Sequence, residues 1–186
     1  MKKRLEKGFV TPLPVFIIAT YDKNDKPTAM NAAWCSQCGP DLISISLGAH
    51  PSTDNIRRNR EFTVSYATKE FVEACDYVGM VSAAKVPDKL AQCGFTVTKS
   101  EKVNAPVIDQ LPVAIECRVQ DIVEEYGETR VIARIVGIVA DEAVLSGEKV
   151  DLGLLQPLMF DSSAKAYRVI GERVAGAWDA GKKFIK

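Results

Sequence analysis

The chain has 186 residues, enough for one domain with a sizeable core. It is 47% hydrophobic and 26% charged, which excludes a disordered or fibrous chain. Lys plus Arg equal Asp plus Glu at 24 each, so no net charge draws it toward nucleic acid or anionic lipid.

No apolar run approaches the roughly 20 residues that a membrane-spanning helix needs. The N-terminal MKKRLEKGFV is basic, but Pro12 and Pro14 break the apolar stretch behind it, and the shape is not that of a signal peptide. A cytoplasmic location is expected. The five cysteines, at 35, 38, 75, 93 and 117, cannot all pair and resemble no secreted disulfide framework.

Residues 13–21, LPVFIIATY, are rich in β-branched and aromatic types and end at the polar turn DKNDKP. TAMNAAWCS is again extended in character, and the short link between the two predicts a hairpin. In DLISISL, Ile43, Ile45 and Leu47 alternate with Ser44 and Ser46, as in a half-buried strand. Ser52 or Thr53 then caps a short helix over TDNIRRN. EFTVSY sets Phe62, Val64 and Tyr66 against Thr63 and Ser65, a second half-buried strand.

KEFVEACDYVG places Phe71, Val72, Ala74 and Cys75 at helical spacing and stops at Gly79. PDKLAQCG reads as another short helix, opened by Pro87 and closed by Gly94. FTVTKS is a strand. PVAIECRVQDIVEEYGETRVIARIVGIVADE is a long hairpin turning near Tyr126-Gly127-Glu128, with Val113, Ile115, Cys117 and Val119 on one face. Alternation is less plain through LLQPLMF and AYRVIGERVAGAW, which lead to a basic tail. Six or more antiparallel strands with a few short helices predict a closed β-barrel with peripheral helices. Helices do not alternate with strands, and neither a G-x-G-x-x-G nor a P-loop occurs, which disfavours a nucleotide-binding α/β domain.

The strongest local sign of chemistry is SLGAHPSTDNIRRN, where a strand ends and a helix begins with Ser52 and Thr53 at its start. Free N–H groups and the positive end of the dipole make such a start an anion site, and Arg57, Arg58 and Arg60 add charge; a capped helix with solvated arginines is the competing reading. Lys85, in the loop before the next helix, offers a point charge for a second anionic group. His50 is the single imidazole, so no His-based metal site or histidine pair forms within one chain, and no metal is expected. Neither G-x-S-x-G nor H-E-x-x-H occurs. Chemistry in this chain therefore calls for a cofactor.

WCSQCG, residues 34–39, holds two cysteines three apart. An activated dithiol puts the first thiol at a helix N-terminus, whereas this pair lies on extended chain before Gly39-Pro40. A thiolate metal site needs a second pair, supplied only if two subunits share it. Thiol exchange with a reduced cofactor and a purely structural pair complete the alternatives.

The order of motifs LPVFIIATYDKNDKPTAMNAAW, LISISLGAHPSTDNIRRNREFTV and DYVGMVSAAKVPDKLAQCGFT resembles the flavin reductase-like family of FMN-binding split barrels. Within it the likeness is greatest to flavoredoxin-type proteins of anaerobic bacteria and archaea, and it continues through APVIDQLPVAIECRV and YRVIGERVAGAW. The resemblance implies a mainly β fold: a six-stranded antiparallel Greek-key split β-barrel with peripheral short helices, forming a homodimer with FMN held non-covalently near the interface. By position it implies that Thr28, Met30, Asn31, Ala32, Ala33 and Trp34 run under the flavin. Ser46, Leu47 and His50 follow the next strand, and Ser52, Thr53 and Asn55 mark the phosphate-side helix start. Lys85 matches a lysine that approaches the cofactor, Phe160 an aromatic near the ring, with Tyr167 just after it. The implied activity is NAD(P)H:flavin oxidoreduction, or else electron carriage from a protein donor such as ferredoxin without nicotinamide turnover. Two positions depart from relatives: Ser82-Ala83-Ala84-Lys85 stands where S-G-R-K is common, and the turn at Gly127-Glu128-Thr129 lacks a histidine that some relatives carry.

Overall fold

The computed structural model describes residues 1–4, 6 and 10–185. Leu5, Lys7, Gly8 and Phe9 of the basic N-terminal stretch, and Lys186 of the basic tail, lie outside the described residues. In chain order, β1 (Leu13–Pro14), β2 (Phe16–Tyr21), β3 (Pro27–Ala32), β4 (Cys35–Gly39) and β5 (Leu42–Leu47) lead into α1 (Pro51–Asn59). Next come β6 (Glu61–Tyr66), α2 (Val72–Met80), α3 (Lys89–Gln92), β7 (Val97–Lys99) and β8 (Pro106–Ile108). The long hairpin β9 (Val113–Glu125) and β10 (Glu128–Ala140) precedes β11 (Leu145–Ser146) and β12 (Lys149–Val150). The last elements of the body are α4 (Leu152–Leu155), β13 (Leu158–Asp161) and β14 (Ala166–Val169). No helix among the described residues is long and apolar enough to cross a membrane.

The fold is mainly β, as the alternation predicts, but the closed barrel expected from the strand pattern is corrected. Seven antiparallel strands form one sheet in the order β3-β2-β6-β9-β10-β5-β4. Its edge strands β3 and β4 do not pair with each other among the described residues. Only Ala33 and Trp34 separate them in sequence, a reach of about 10 Å. The sheet therefore curls until its two edges nearly meet. Beside that gap the Ser46 N–H donates to the Trp34 carbonyl at 2.9 Å.

Two cores explain why the strand pattern misleads in places. Phe16, Ile18, Ile45, Phe62, Val64, Cys117 and Val131 fill the inside of the curl. Ile17 and Ala19 point the other way, into a second core with Val78, Leu90, Phe95 and Leu158. β2 is thus buried on both faces, which accounts for its unbroken apolar run. β6 is likewise not half-buried: Thr63 and Ser65 are covered too, with the Thr63 hydroxyl donating to the Pro106 carbonyl at 2.5 Å. β5 keeps the simple alternation, its serines left partly open.

The helix boundaries also shift. His50, not Ser52 or Thr53, is the N-cap of α1, with Pro51 in the first turn and no side-chain cap. α2 runs through Gly79 to Met80. The β9–β10 turn falls where expected, with Tyr126 and Gly127 both at positive φ, the conformation of a tight two-residue hairpin.

Between the cores sits one buried carboxylate. Glu116 is shielded from solvent and accepts the Ser100 hydroxyl proton at 2.6 Å. Opposite it, at a bulge in β10, Gly137 leaves the room this carboxylate needs: a Cβ there would overlap Glu116 and crowd Lys102. Gly137→Ala should lower stability by on the order of 1–3 kcal/mol through overpacking, read from the urea midpoint at constant slope.

Candidate functional site

Three hollows follow one another along β3 and the link after it. Thr28 lines the first and narrowest, with Lys26, Asn55 and Ala84 around it. Met30 and Asn31 line the second, walled by His50, Ser52, the end of α2 and Ala83. The first two meet at Pro51 and Ala83, which line both. Ala33 and Trp34 line the third, an open groove of about 880 Å³ that takes in Ser46 and Phe160. Seven residues of extended chain span roughly 20 Å. Because β3 is an edge strand, its unpaired backbone groups are open to a ligand lying along it.

At the narrow end the polar groups are held in place by their own partners, with one exception. Asn55 is buried; its amide donates to the Thr20 hydroxyl at 3.1 Å and its oxygen accepts from Arg58 at 3.0 Å. Thr53 is buried and donates its hydroxyl proton to the Gly48 carbonyl at 2.8 Å. Thr53 and Asp54 both send their N–H groups to the His50 carbonyl, while the Ser52 N–H, in the first turn, has no intrahelical acceptor. Thr28 is the exception. It is 4% exposed, and its hydroxyl is buried with no partner among the described residues. An orphaned hydroxyl of this kind costs about 1–3 kcal/mol unless something bonds it.

The arginines noted beside this helix serve other contacts. Arg57 pairs with Glu124 at 2.5 Å and donates to the Thr129 hydroxyl at 2.6 Å. Arg58 reaches the Tyr21 carbonyl and Asn55, and Arg60 closes the helix in a left-handed conformation. The cations lining the first two hollows are Lys26 and Lys89.

Lys89 is the feature that the sequence did not reveal. It is 3% exposed, and its ammonium donates to the Val78 carbonyl at 2.7 Å and the Val81 carbonyl at 2.9 Å. Those are the carbonyls at the C-terminus of α2, where the helix dipole is negative. The lysine so ties down the segment that walls the second hollow. Gly79 completes that wall: a Cβ there would overlap the Asn31 side chain, so glycine lets α2 seat directly on β3.

Ten of the fifteen residues singled out from the sequence line the hollows: Thr28 and Asn55 the first; Met30, Asn31, His50 and Ser52 the second; Ala33, Trp34, Ser46 and Phe160 the third. Ala32 and Leu47 pack instead into the core. Thr53 serves the turn before its helix, and Lys85 is exposed and lines none of the three. Tyr167 donates its hydroxyl proton to Asp76 at 2.6 Å and stands 6.2 Å, ring to ring, from Phe160. Burial and Asp76 push that phenol well above its ordinary range. It props the aromatic rather than meeting the groove.

The two cysteines of WCSQCG fall on opposite sides of β4, Cys35 buried and Cys38 exposed. Burial pushes the Cys35 thiol up to about 12, with Cys38 adding to the shift. A neutral thiol is a poor nucleophile and a poor metal ligand.

Burial lowers Lys89 from its ordinary 10.5 to about 8, against a smaller opposing effect of Cys93. Between those values the unfolded chain holds a proton that the folded chain has released, so Lys89 by itself contributes stability that grows as pH climbs from about 8 toward 10.5, opposed above about 9 by the buried Cys35, Cys75 and Cys117 thiols, which are raised to about 12. Lys89→Met should remove that contribution, read as the pH dependence of the difference between wild type and variant in urea melts. It should also speed hydrogen exchange around residues 78–83, because the Val78 and Val81 carbonyls lose their lysine donor.

Comparison with known proteins identifies the family and the fold. Residues 9–167 match the flavin reductase like domain. The solved structure of flavoredoxin of Desulfovibrio vulgaris (Miyazaki F) is 32% identical, with a TM-score of 0.91 over 97% of this chain and 100% of that one. Flavoredoxin from Methanosarcina acetivorans is 25% identical, with a TM-score of 0.91 over 100% of this chain and 99% of that one, so residues 170–185 have counterparts there. An uncharacterized protein of Aeropyrum pernix is 24% identical over 64% of this chain, and the match spans only 46% of that relative's length. The chain belongs to the flavin reductase like family.

Proposed function

We propose that the chain binds FMN non-covalently and acts as a flavin-dependent oxidoreductase, passing electrons or hydride from NAD(P)H to an acceptor. The run of hollows from Thr28 to Trp34 supports this most. It has buried polar groups and a helix start at one end and an open, apolar, aromatic groove at the other. A phosphate-bearing tail suits the narrow end, where the Thr28 hydroxyl lacks a partner and the Ser52 N–H lacks an intrahelical acceptor. A flat ring suits the open edge of β3, which offers backbone donors and acceptors in one line. Where relatives have an arginine this chain has Ala84, so Lys26 is the cation lining the narrow hollow, with the Asp22 carboxylate also on its wall and Lys89 in the next hollow.

Bound FMN would supply the electron and hydride chemistry, for which no side chain here is equipped. The protein's own part is to orient and to shield. Lys89 keeps the wall at residues 78–81 in register, Asn31 and Met30 set the floor, and Trp34 and Phe160 flank the open end. A homodimer in the cytoplasm completes the proposal.

The similarity to two flavoredoxins over almost the whole chain favours a second reading, an electron carrier served by a protein donor such as ferredoxin. Stopped-flow reduction of the FMN-loaded protein separates the two. Fast reduction by NADH or NADPH supports the reductase, whereas slow reduction by both and fast reduction by ferredoxin supports the carrier. Protein that fails to bind FMN in a fluorescence titration ends both.

Two substitutions test the cofactor path. Thr28→Val, nearly isosteric, should weaken FMN binding by about 0.5–1.5 kcal/mol while raising the stability of the cofactor-free protein by about 1–3 kcal/mol, because the buried hydroxyl it removes has no partner. Gly79→Ala should push Asn31 into the second hollow and weaken FMN on the order of tenfold, with the fold retained by circular dichroism.

A further inference from the structure

The last stretch of the chain, after β14, has the chemistry of a packed segment but packs on nothing. Val174 is 89% exposed, Trp178 96% and Phe184 79%, with Ile170 and Ile185 also open to solvent. Its backbone hydrogen bonds stay within the segment: Ala180 to Gly176, Lys182 to Asp179, Phe184 to Gly181 and Ile185 to Lys182. The Lys182–Asp179 ion pair and the Lys183 ammonium over the Phe184 ring are local as well. Two aromatics and three branched aliphatics left in water are a strong sign of a missing surface.

That surface is present elsewhere on the molecule. The open groove is lined by Val10, Leu13, Ala33, Trp34 and Phe160, with Trp34 itself 61% exposed. One of its walls is the sheet β1-β13-β14, from whose last strand the arm departs. We propose that residues 170–185 of one copy cross to a second copy of this chain and lie in its groove against Trp34, the exchange being reciprocal.

Reach, area and symmetry favour that occupant. The irregular residues 170–176 span about 20 Å when extended, against a body whose radius of gyration is about 16 Å. Trp178 and Phe184 alone bring roughly 300–500 Å² per arm. Two arms with their aliphatic neighbours thus reach the roughly 1,200 Å² at which specific dimers begin. Each copy has one arm and one groove, so a twofold exchange satisfies both and leaves no further sticky site. The arm's mixed charges, Glu172, Arg173, Asp179, Lys182 and Lys183, suit neither a membrane nor a nucleic acid. With FMN bound as proposed above, the partner's arm would also roof the outer end of the site, though the exchange itself does not depend on that reading.

The test replaces Trp178 with the photo-crosslinker benzoylphenylalanine, in two differently tagged copies expressed together. Fold loss is not at issue, since position 178 makes no contact with the body. The expected result is a crosslink between the two tags, mapped by mass spectrometry to residues 30–36 or 158–165, with and without FMN. Crosslinks confined to one tag, crosslinks to another surface, or none at all overturn the proposal. In the full chain, Trp178→Ser with Phe184→Ser should weaken self-association at least tenfold in sedimentation; unchanged association counts against it.

Discussion

The two-residue link Ala33–Trp34 constrains everything around it. It must carry the chain from one edge of a seven-stranded sheet to the other, and so short a tether is compatible only with a sheet curled almost shut. The curl encloses the first core. It also leaves an unpaired edge at β3, with a helix start, a helix end and a small sheet gathered alongside. The hollows are thus a product of the closure geometry: they lie where the sheet stops short of becoming a barrel. The backbone edge that would be an aggregation hazard in an open sheet here borders the hollows instead.

Much of this was legible in the residues. The DLISISL alternation, the hairpin at Tyr126-Gly127 and the two short helices around residues 72–92 are local signals, and they appear where the chain says they should. What local patterns could not convey was double burial. β6 reads as half-exposed because Thr63 and Ser65 are polar, yet β8 covers that side and gives Thr63 a carbonyl partner. The site was partly legible for the same reason. Thr28, Met30 and Asn31 come with their strand, and β3 lies where the strand pattern puts it. Lys89 did not, because nothing in PDKLAQCG distinguishes a lysine that points to water from one that turns inward to two carbonyls. Lys85, four residues earlier, carried the same charge and seemed the better placed; in the folded chain it faces solvent.

The charge at the narrow end follows a different logic from the one that the run of arginines suggests. Arg57, Arg58 and Arg60 lie toward the C-terminus of α1, where cations favour the helix dipole, and their guanidinium groups bind the hairpin, the β2 end and the β9 backbone. They stabilise the frame. The positive charge lining the path is set instead on lysines, one of them buried and already partly discharged by its surroundings. A lysine in that setting holds carbonyls by donating hydrogens whether charged or neutral. The wall of the second hollow therefore keeps its shape over a wider pH range than an ion pair would allow.

The same economy of titratable chemistry bears on what the protein contributes to a reaction. The single histidine is exposed, the Cys35, Cys75 and Cys117 thiols are each pushed up to about 12 by burial, and Tyr167 is locked onto Asp76. The buried thiols and the Tyr167 phenol are poorly placed to release a proton near neutral pH. For the proposed oxidoreductase, catalytic power would come from position: a small hollow at the inner end and a groove open enough at the outer end for a second molecule to approach. On the proposed reading, discrimination between a nicotinamide and a protein donor would fall to the groove mouth, lined by Trp34 and Phe160.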